Sequence, residues 1–282
     1  MKSLQEFDAT LTREIDFVLS DLDDTLTDSG HLRGATYAAL EKLKAAGKRI
    51  VIVTGRPAGW CDMIARFWPV DGVVGENGAF YFRYDHDKAV MVRHFLQSEE
   101  ERARNHKALF GFFDDVRNAH PDIRLSADQA FRVSDIAIDI CEDVQRLGKD
   151  EVADIVARLA ALGATVKVSS IHINAWIGHF DKLTMIRSFL KTEFDVDAEA
   201  AKQRVVYVGD SPNDEPMFGY FPHSVGVANV EEFLPDMVSK PAYVARGRGG
   251  VGFVELANLL IPAGKPAISR GNNRRSSSPA RR

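Results

Sequence analysis

Phe17-Val18-Leu19-Ser20 runs directly into Asp21-Leu22-Asp23-Asp24-Thr25-Leu26-Thr27. A short apolar run that stops at a polar cluster reads as a buried strand whose C-terminal end presents side chains to a cleft. Alternate residues of an extended backbone share a face, so Asp21 and Asp23 can be aimed together. Taken alone, the segment also reads as a polar turn with a helix cap, because Asp and Thr are common cap residues. A calcium loop is a poor alternative: an EF-hand counted from Asp21 wants Gly at its sixth position and Glu at its twelfth, where Leu26 and Leu32 stand.

The same pattern recurs along the chain. Arg49-Ile50-Val51-Ile52-Val53 precedes Thr54, Gly72-Val73-Val74-Gly75 precedes Glu76, and Val205-Val206-Tyr207-Val208-Gly209 precedes Asp210. Segments of helical period, 35–46, 57–67 and 183–194, lie between these runs, and 224–228 and 242–245 read as further strands. The alternation predicts an α/β fold, a doubly wound Rossmann-like parallel sheet, with one ligand site beyond the carboxyl ends of its strands. It breaks over 84–178, where alternating strands mix with helices at 99–119 and 149–162, so an inserted α+β cap domain is expected there, placed to cover the site. The predicted organisation is a catalytic core of 1–83 and 179–264, a cap of 84–178 and a disordered tail of 265–282.

Of the 282 residues, 45% are hydrophobic and 27% charged, ordinary values for a chain with a real core. No stretch approaches the ~18 consecutive apolar residues of a membrane span, which excludes a channel or transporter. The N-terminal residues lack an apolar signal core, so a cytoplasmic location is expected. Cys61 and Cys141 show no paired metal spacing and read as reduced structural thiols. Six basic residues and no acid lie in 265–282, so the formal charge of −4 divides into −10 for the first 264 residues and +6 for the tail. An acidic body argues against nucleic acid as the main ligand, and the Pro/Ser/Arg-rich tail reads as an extension too polar to order itself.

Three more clusters carry chemistry. Thr54-Gly55-Arg56-Pro57 sets a hydroxyl before a helix start, where backbone amides and the hydroxyl make a phosphate seat. Lys182 opens a helix as the chain returns from the insert, where a lysine is more often simply solvated. Gly209-Asp210-Ser211-Pro212-Asn213-Asp214 puts two carboxylates and an amide at a strand end, oxygen donors suited to Mg²⁺. Gly247-Arg248-Gly249-Gly250-Val251-Gly252 fits a dinucleotide fingerprint, but no strand with a ribose-binding acid follows, so nucleotide binding is not expected.

Asp-x-Asp-x-Thr, Thr-Gly-Arg, Lys and Gly-Asp-x-x-x-Asp, in this order and each at its strand end or helix start, resemble the four motifs of the haloacid dehalogenase-like phosphohydrolases. The insert between the second and third motifs, with Glu76-Asn77-Gly78-Ala79 before it, is similar to the subgroup with a C2-type cap (subfamily IIB), which holds Cof-like, sucrose-phosphate and mannosylglycerate-phosphate phosphatases and phosphomannomutases. Two positions depart: Asp24 stands where members often have Gly, and Leu183 follows Lys182 where Gly is frequent. The resemblance implies a Mg²⁺-dependent phosphatase in which Asp21 attacks phosphorus and Asp23 serves as acid and then base. Thr54 and Lys182 would grip the phosphate, with Gly55, Arg56 and Asn77 lining the substrate site. Asp21, the Asp23 carbonyl and Asp210 would hold the metal, with Asp214 and Asn213 behind them.

In the insert, His172, Asn174 and Trp176 alternate with Ile171, Ile173 and Ala175, so the first three share a strand face that could meet a sugar. The expected partner is a small phosphomonoester, a sugar phosphate first, with no membrane and no nucleic acid. The residues leave open a phosphomannomutase-like phosphotransferase, a non-catalytic phosphometabolite-binding protein, the substrate's identity and the oligomeric state.

Overall fold

The computed structural model describes residues 1–235 and 237–261. The predicted disordered tail, 265–282, lies outside the described residues. In chain order the strands are β1 (Lys2–Ser3), β2 (Phe17–Ser20), β3 (Thr27–Asp28), β4 (His31–Leu32), β5 (Arg49–Val53), β6 (Gly72–Gly75), β7 (Phe80–Asp85), β8 (Val90–Phe95), β9 (Asp135–Asp139), β10 (Thr165–Val168), β11 (His172–Trp176), β12 (Val205–Gly209), β13 (His223–Gly226) and β14 (Tyr243–Val244). The helices are α1 (Gly34–Ala45), α2 (Ala58–Phe67), α3 (Glu99–Ala119), α4 (Lys149–Ala161), α5 (Lys182–Phe194), α6 (Ala198–Ala201), α7 (Glu215–Tyr220) and α8 (Gly249–Leu260).

The main sheet has nine strands in the order β1-β14-β13-β12-β2-β5-β6-β7-β8, parallel from β1 to β6 and antiparallel beyond. Helices cover both faces, so its central strands read as unbroken apolar runs rather than alternating ones. Val18, Ile50 and Ile52 turn to the face packed by α1, α2 and α8, whereas Phe17, Leu19, Val51 and Val53 turn to the face packed by α5 and α7. The chain leaves β2 toward β5 and β6 and later returns to the other side of β2 through β12. That reversal makes the crevice between the ends of β2 and β12 the place where a ligand is received.

The expected insert begins too early. Strands β7 and β8 extend the main sheet, paired antiparallel to β6, instead of opening a separate domain at residue 84. Their alternating pattern suits an antiparallel edge as well as a small α+β sheet, and a local period does not say which sheet a strand joins. The chain turns back after β6 through Glu76 and Asn77, at φ 44 and 55, a left-handed pair that Asn tolerates better than most residues. The two-residue β1, beside β14, also escaped the sequence reading.

Residues after β8 build a smaller unit. Its antiparallel sheet, β10-β11-β9, is packed on one face by α3 and α4 through Leu109, Phe113, Ile155, Leu159, Ile138 and Ile173. The other face carries Asp135, Asp139, His172, Asn174 and Trp176, and all five are buried because it closes on the main sheet's ligand crevice. Contacts of Glu76 and Arg132 help tie the units together. The Glu76 carboxylate accepts from the backbone N–H groups of Val133, Ser134 and Asp135 as well as Ala58, and the fully buried Arg132 donates to the Gly55 carbonyl at 2.9 Å. Among the described residues no helix is long and apolar enough to cross a membrane.

Candidate active site

Asp21 leaves the end of β2 with its N–H donating to the Val208 carbonyl of β12, so the parallel ladder itself sets its direction. Lys182 is the first residue of α5, whose N-terminus is capped by the Asp181 carboxylate accepting from Thr184 N at 2.7 Å. Its buried ammonium donates to Asp21 Oδ1 at 2.6 Å and Asp214 Oδ1 at 2.7 Å. The lysine that reads as solvated in the sequence is therefore at the centre of the cluster, 2% exposed.

Asp214 has no spare oxygen. Its Oδ1 accepts from Lys182 and from the Tyr207 hydroxyl, and its Oδ2 accepts from the backbone N–H of Asp210 at 2.9 Å and of Ser211 at 3.2 Å. A Cβ on residue 209 would stand 2.3 Å from that Oδ2, which is why glycine precedes Asp210. Asp214 thus orients its neighbours and is poorly disposed to bind a metal directly. Asp210 is oriented by Thr25 Oγ1 at 3.1 Å and by Asn229 Nδ2 at 3.2 Å. Asn229 also donates to the Asp24 carbonyl at 2.9 Å. Asp24 has φ 53, the left-handed conformation that explains a glycine preference there and that Asp can adopt.

Carboxylate oxygens of Asp21, Asp210 and Asp214 lie within 4.8 Å of one another, all buried. Among the described residues Lys182 is the one cation in direct contact with this group, so the cluster carries excess negative charge. Burial, followed by the neighbouring carboxylates, pushes Asp210 far above the usual carboxylate range. Asp21 is raised to about 8, chiefly by burial, against the opposing pull of Lys182. An oxygen donor set with uncompensated charge fits a hard divalent cation, and Asp21 and Asp210 supply side-chain oxygens for it.

Thr54 directly follows β5 and is fully buried, its Oγ1 accepting from Arg56 N at 3.0 Å, which leaves the hydroxyl proton to donate. The amide seat expected beside it is smaller than the sequence implied: Arg56 N is used by Thr54 and Ala58 N by Glu76 Oε1. Arg56 differs more. All five of its N–H donors are engaged by carboxylates, Asp23 from the main unit and Asp128 and Glu142 from the smaller one. None is left for a substrate in this arrangement.

Asp21, Asp23, Gly55, Arg56, Asn174 and Asn213 are among the residues enclosing a cavity of about 10 Å³, and His172 also lines it. A wider cleft, about 1080 Å³, opens beside it past Asp23, Asp24, Asp210, Arg146 and Arg248. The structure therefore brings His172 and Asn174 to the site. Trp176, on the same strand face, stacks on Phe180 instead, with ring centroids 5.5 Å apart. Asn77 is 2% exposed and packs beside Gly55 with both amide atoms lacking a hydrogen-bond partner among the described residues. The glycine-rich segment 247–252 serves packing: a Cβ at Gly250 would stand 2.3 Å from Thr36 Oγ1, and one at Gly249 would stand 2.5 Å from Asp28 Oδ1. Both cysteines are free thiols.

Thr25, Tyr207, Asn229, Asp128 and Glu142 were missed from the sequence. Thr25 sits inside the first motif and Tyr207 in the strand before the fourth, so a strand-end reading extended by a few residues finds them. The other three come from distant loops and carry no local signal.

The sequence model of the haloacid dehalogenase-like hydrolase family matches residues 18–109. Over that segment the chain is similar to these hydrolases, a likeness that supports phosphomonoester hydrolysis. A phosphoglycolate phosphatase of Methanobrevibacter smithii is 26% identical over 261 residues, covering 88% of this chain and 99% of its own. Among solved structures, a Thermoplasma acidophilum protein superposes with TM-score 0.66 at 17% identity, covering 87% of this chain and 98% of its own. The sucrose-phosphatase of Synechocystis, solved with sucrose and phosphate, superposes with TM-score 0.59 at 14% identity over 86% of this chain and 97% of its own.

Proposed function

We propose that the protein is a Mg²⁺-dependent phosphatase of small sugar phosphates that works through an aspartyl-phosphate on Asp21. The observation that carries this reading is the buried Asp21–Lys182–Asp214 chain beside Asp210, with Asp23 two residues from Asp21 at the mouth of the same cleft. An Asp21 oxygen attacks phosphorus as the bond to the leaving oxygen breaks, and Asp23 serves as the general acid that gives a proton to that oxygen. Water then attacks phosphorus, its proton passes to Asp23, the Asp21–phosphorus bond breaks, and inorganic phosphate leaves. Thr54 Oγ and Lys182 Nζ donate to the phosphate oxygens where charge spreads in the transition state. Asp21, the Asp23 carbonyl and Asp210 would hold Mg²⁺, which offsets the repulsion between an attacking carboxylate and a phosphate dianion. Asp214 and Asn213 orient this set.

The smaller unit acts as a cap. His172 and Asn174 face the leaving group, and the wide cleft accommodates the remainder of a sugar. The Methanobrevibacter relative favours phosphoglycolate as a second substrate, although the engagement of every Arg56 donor leaves that cation unavailable to a carboxylate in this closed arrangement. A phosphomannomutase-like transfer of the phosphoryl group back to sugar is the other alternative. The test is phosphate release from a panel of sugar phosphates and phosphoglycolate. Release should vanish in excess chelator and return with Mg²⁺ but not Ca²⁺, whose larger and looser coordination misplaces the attacking oxygen. Isomerisation without phosphate release would establish the transferase, full activity in chelator would remove the metal, and binding without any turnover would leave a phosphometabolite-binding protein.

Metal binding should also be visible without substrate. Asp21 folds with its pKa raised to about 8, so between the ordinary carboxylate range and that value the metal-free folded protein holds a proton that the unfolded chain has lost. Its stability therefore falls as pH rises across that window. A cation that takes the ionised cluster reverses this and must displace fewer protons at high pH. Mg²⁺ at about 100 times its pH 8.5 Kd should raise Tm by roughly 5–10 °C at pH 8.5, and the same concentration should raise it by less at pH 6. A gain that is equal or larger at pH 6 would contradict the assignment.

A further inference from the structure

We infer that Glu142 is a positioning residue for phosphoryl transfer: from the cap it sets, through Arg56, the direction in which Asp23 presents its carboxyl. The inference rests on Asp23 being the acid–base group of the proposed reaction.

Three segments meet at the Arg56 guanidinium. Nε donates to both oxygens of Asp23 at 3.0 Å, and Nη2 donates to Asp23 Oδ1 at 2.9 Å and to Glu142 Oε1 at 2.6 Å. Nη1 donates to Glu142 Oε2 and to Asp128 Oδ2, both at 3.2 Å. Arg56 is therefore held by two facing forks, Asp23 on the core side and Glu142 on the cap side. A planar guanidinium transmits orientation across such a pair because rotating it breaks both. The Trp60 ring, 4.4 Å from the guanidinium carbon, restricts its plane further.

The cap arm is itself built. Asp139, at the end of β9 and 2% exposed, accepts the backbone N–H groups of Cys141, Glu142 and Asp143 at 2.9, 2.7 and 2.9 Å. This fixes the loop that carries Glu142 to the end of a cap strand, so the position of Glu142 follows the position of the cap. His172 Nε2 lies 2.9 Å from Glu142 Oε2 on its other side, off the axis of a well-formed hydrogen bond. Burial alone would raise the Glu142 carboxyl, yet the contacts from His172 and Arg56 outweigh it and hold the group at about 2. Glu142 is therefore ionised at any pH near neutrality. The other bond to the cap, Asp128, is shared with Arg132 and Ser126, which leaves Glu142 as the carboxylate given over mainly to Arg56.

Aiming Asp23 as an acid matters in the first step only when the leaving group needs a proton, whereas the second step, in which Asp23 is the base, is common to every ester. The ratio kcat/KM reports the first step alone and is therefore the quantity to compare. p-Nitrophenyl phosphate and 4-nitrobenzyl phosphate are nearly the same size, but p-nitrophenolate leaves without protonation and the benzylic alkoxide does not. In Glu142→Ala, kcat/KM for 4-nitrobenzyl phosphate should fall ten- to a hundredfold, the scale of a misaligned reacting group. The kcat/KM for p-nitrophenyl phosphate should fall less than threefold. Glu142→Gln, which keeps the shape and one acceptor for Arg56, should lie between wild type and alanine. Equal losses on the two esters would show that Glu142 merely supports the cap, and no loss on either would show that Asp23 is aimed without it. A wild-type protein that cleaves neither ester would overturn the phosphatase reading, and this inference with it.

Discussion

Asp21→Asn is expected to lower turnover by on the order of 10⁴- to 10⁶-fold, the scale on which removing a nucleophile silences an enzyme that works through a covalent intermediate. The amide is nearly isosteric with the carboxylate but cannot attack phosphorus. The fold should survive. Asp21 is held by a backbone ladder bond to Val208, and Lys182 retains Asp214 as its partner. The substitution also removes a carboxylate that burial pushes up to about 8, so thermal stability in chelator should be unchanged or higher. Turnover is read as phosphate release and folding as the melting transition of the same sample. A variant that keeps more than a tenth of the wild-type rate would reject Asp21 as the nucleophile.

Excising the cap is expected to have the second largest effect, and one that depends on the substrate. The groups proposed for phosphoryl transfer all come from the main unit, so the phosphate end of any substrate meets the same side chains. Discrimination must come from the part that covers the leaving group. The sheet topology moves the cut from the sequence boundary near residue 84 to a place after β8, so that the nine-stranded sheet stays whole. Gln97 Nε2 donates to the Ile177 carbonyl at 2.8 Å, so the two connections run side by side and a short linker can join them. Turnover of the preferred sugar phosphate should fall by roughly 10³-fold, because remote contacts and water exclusion are lost. Acetyl phosphate, small and activated, should keep more than a tenth of its rate. The truncated protein must still melt cooperatively and gain Tm from Mg²⁺. Equal losses on the two substrates in such a protein would show that the cap supports the core chemistry and is not mainly a specificity lid.

Much of the site was legible in the sequence because phosphoryl transfer at a parallel sheet draws on strand ends. Phe17–Ser20, Arg49–Val53 and Val205–Gly209 are apolar on both faces for a local reason, burial between two helical layers. The polar residues that follow each run, Asp21 and Asp23, Thr54, and Asp210 to Asp214, are then bound to meet where the strands end. Lys182 was legible only as the third member of an ordered set of motifs. In isolation, nothing separates it from a solvated lysine.

What the chain determines by itself is therefore whatever depends on neighbours a few residues away: strand and helix periods, the polar stops, and the spacing that lets two carboxylates share a cleft. Tertiary structure alone decided which sheet each strand joins. The alternation in β7 and β8 is the same whether the partner is β6 or a separate small sheet, and pairing is settled by the turn through Glu76 and Asn77. It also decided that Asp214 spends both oxygens on protein donors and that Arg56 faces three carboxylates rather than a substrate. Arg56 and Glu142 are 86 residues apart and Asn229 is 19 from Asp210. The Arg56–Glu142 pair follows from the closure of two folded units on each other, and the Asn229–Asp210 hydrogen bond from the neighbouring ends of β12 and β13; no local pattern in the chain records either.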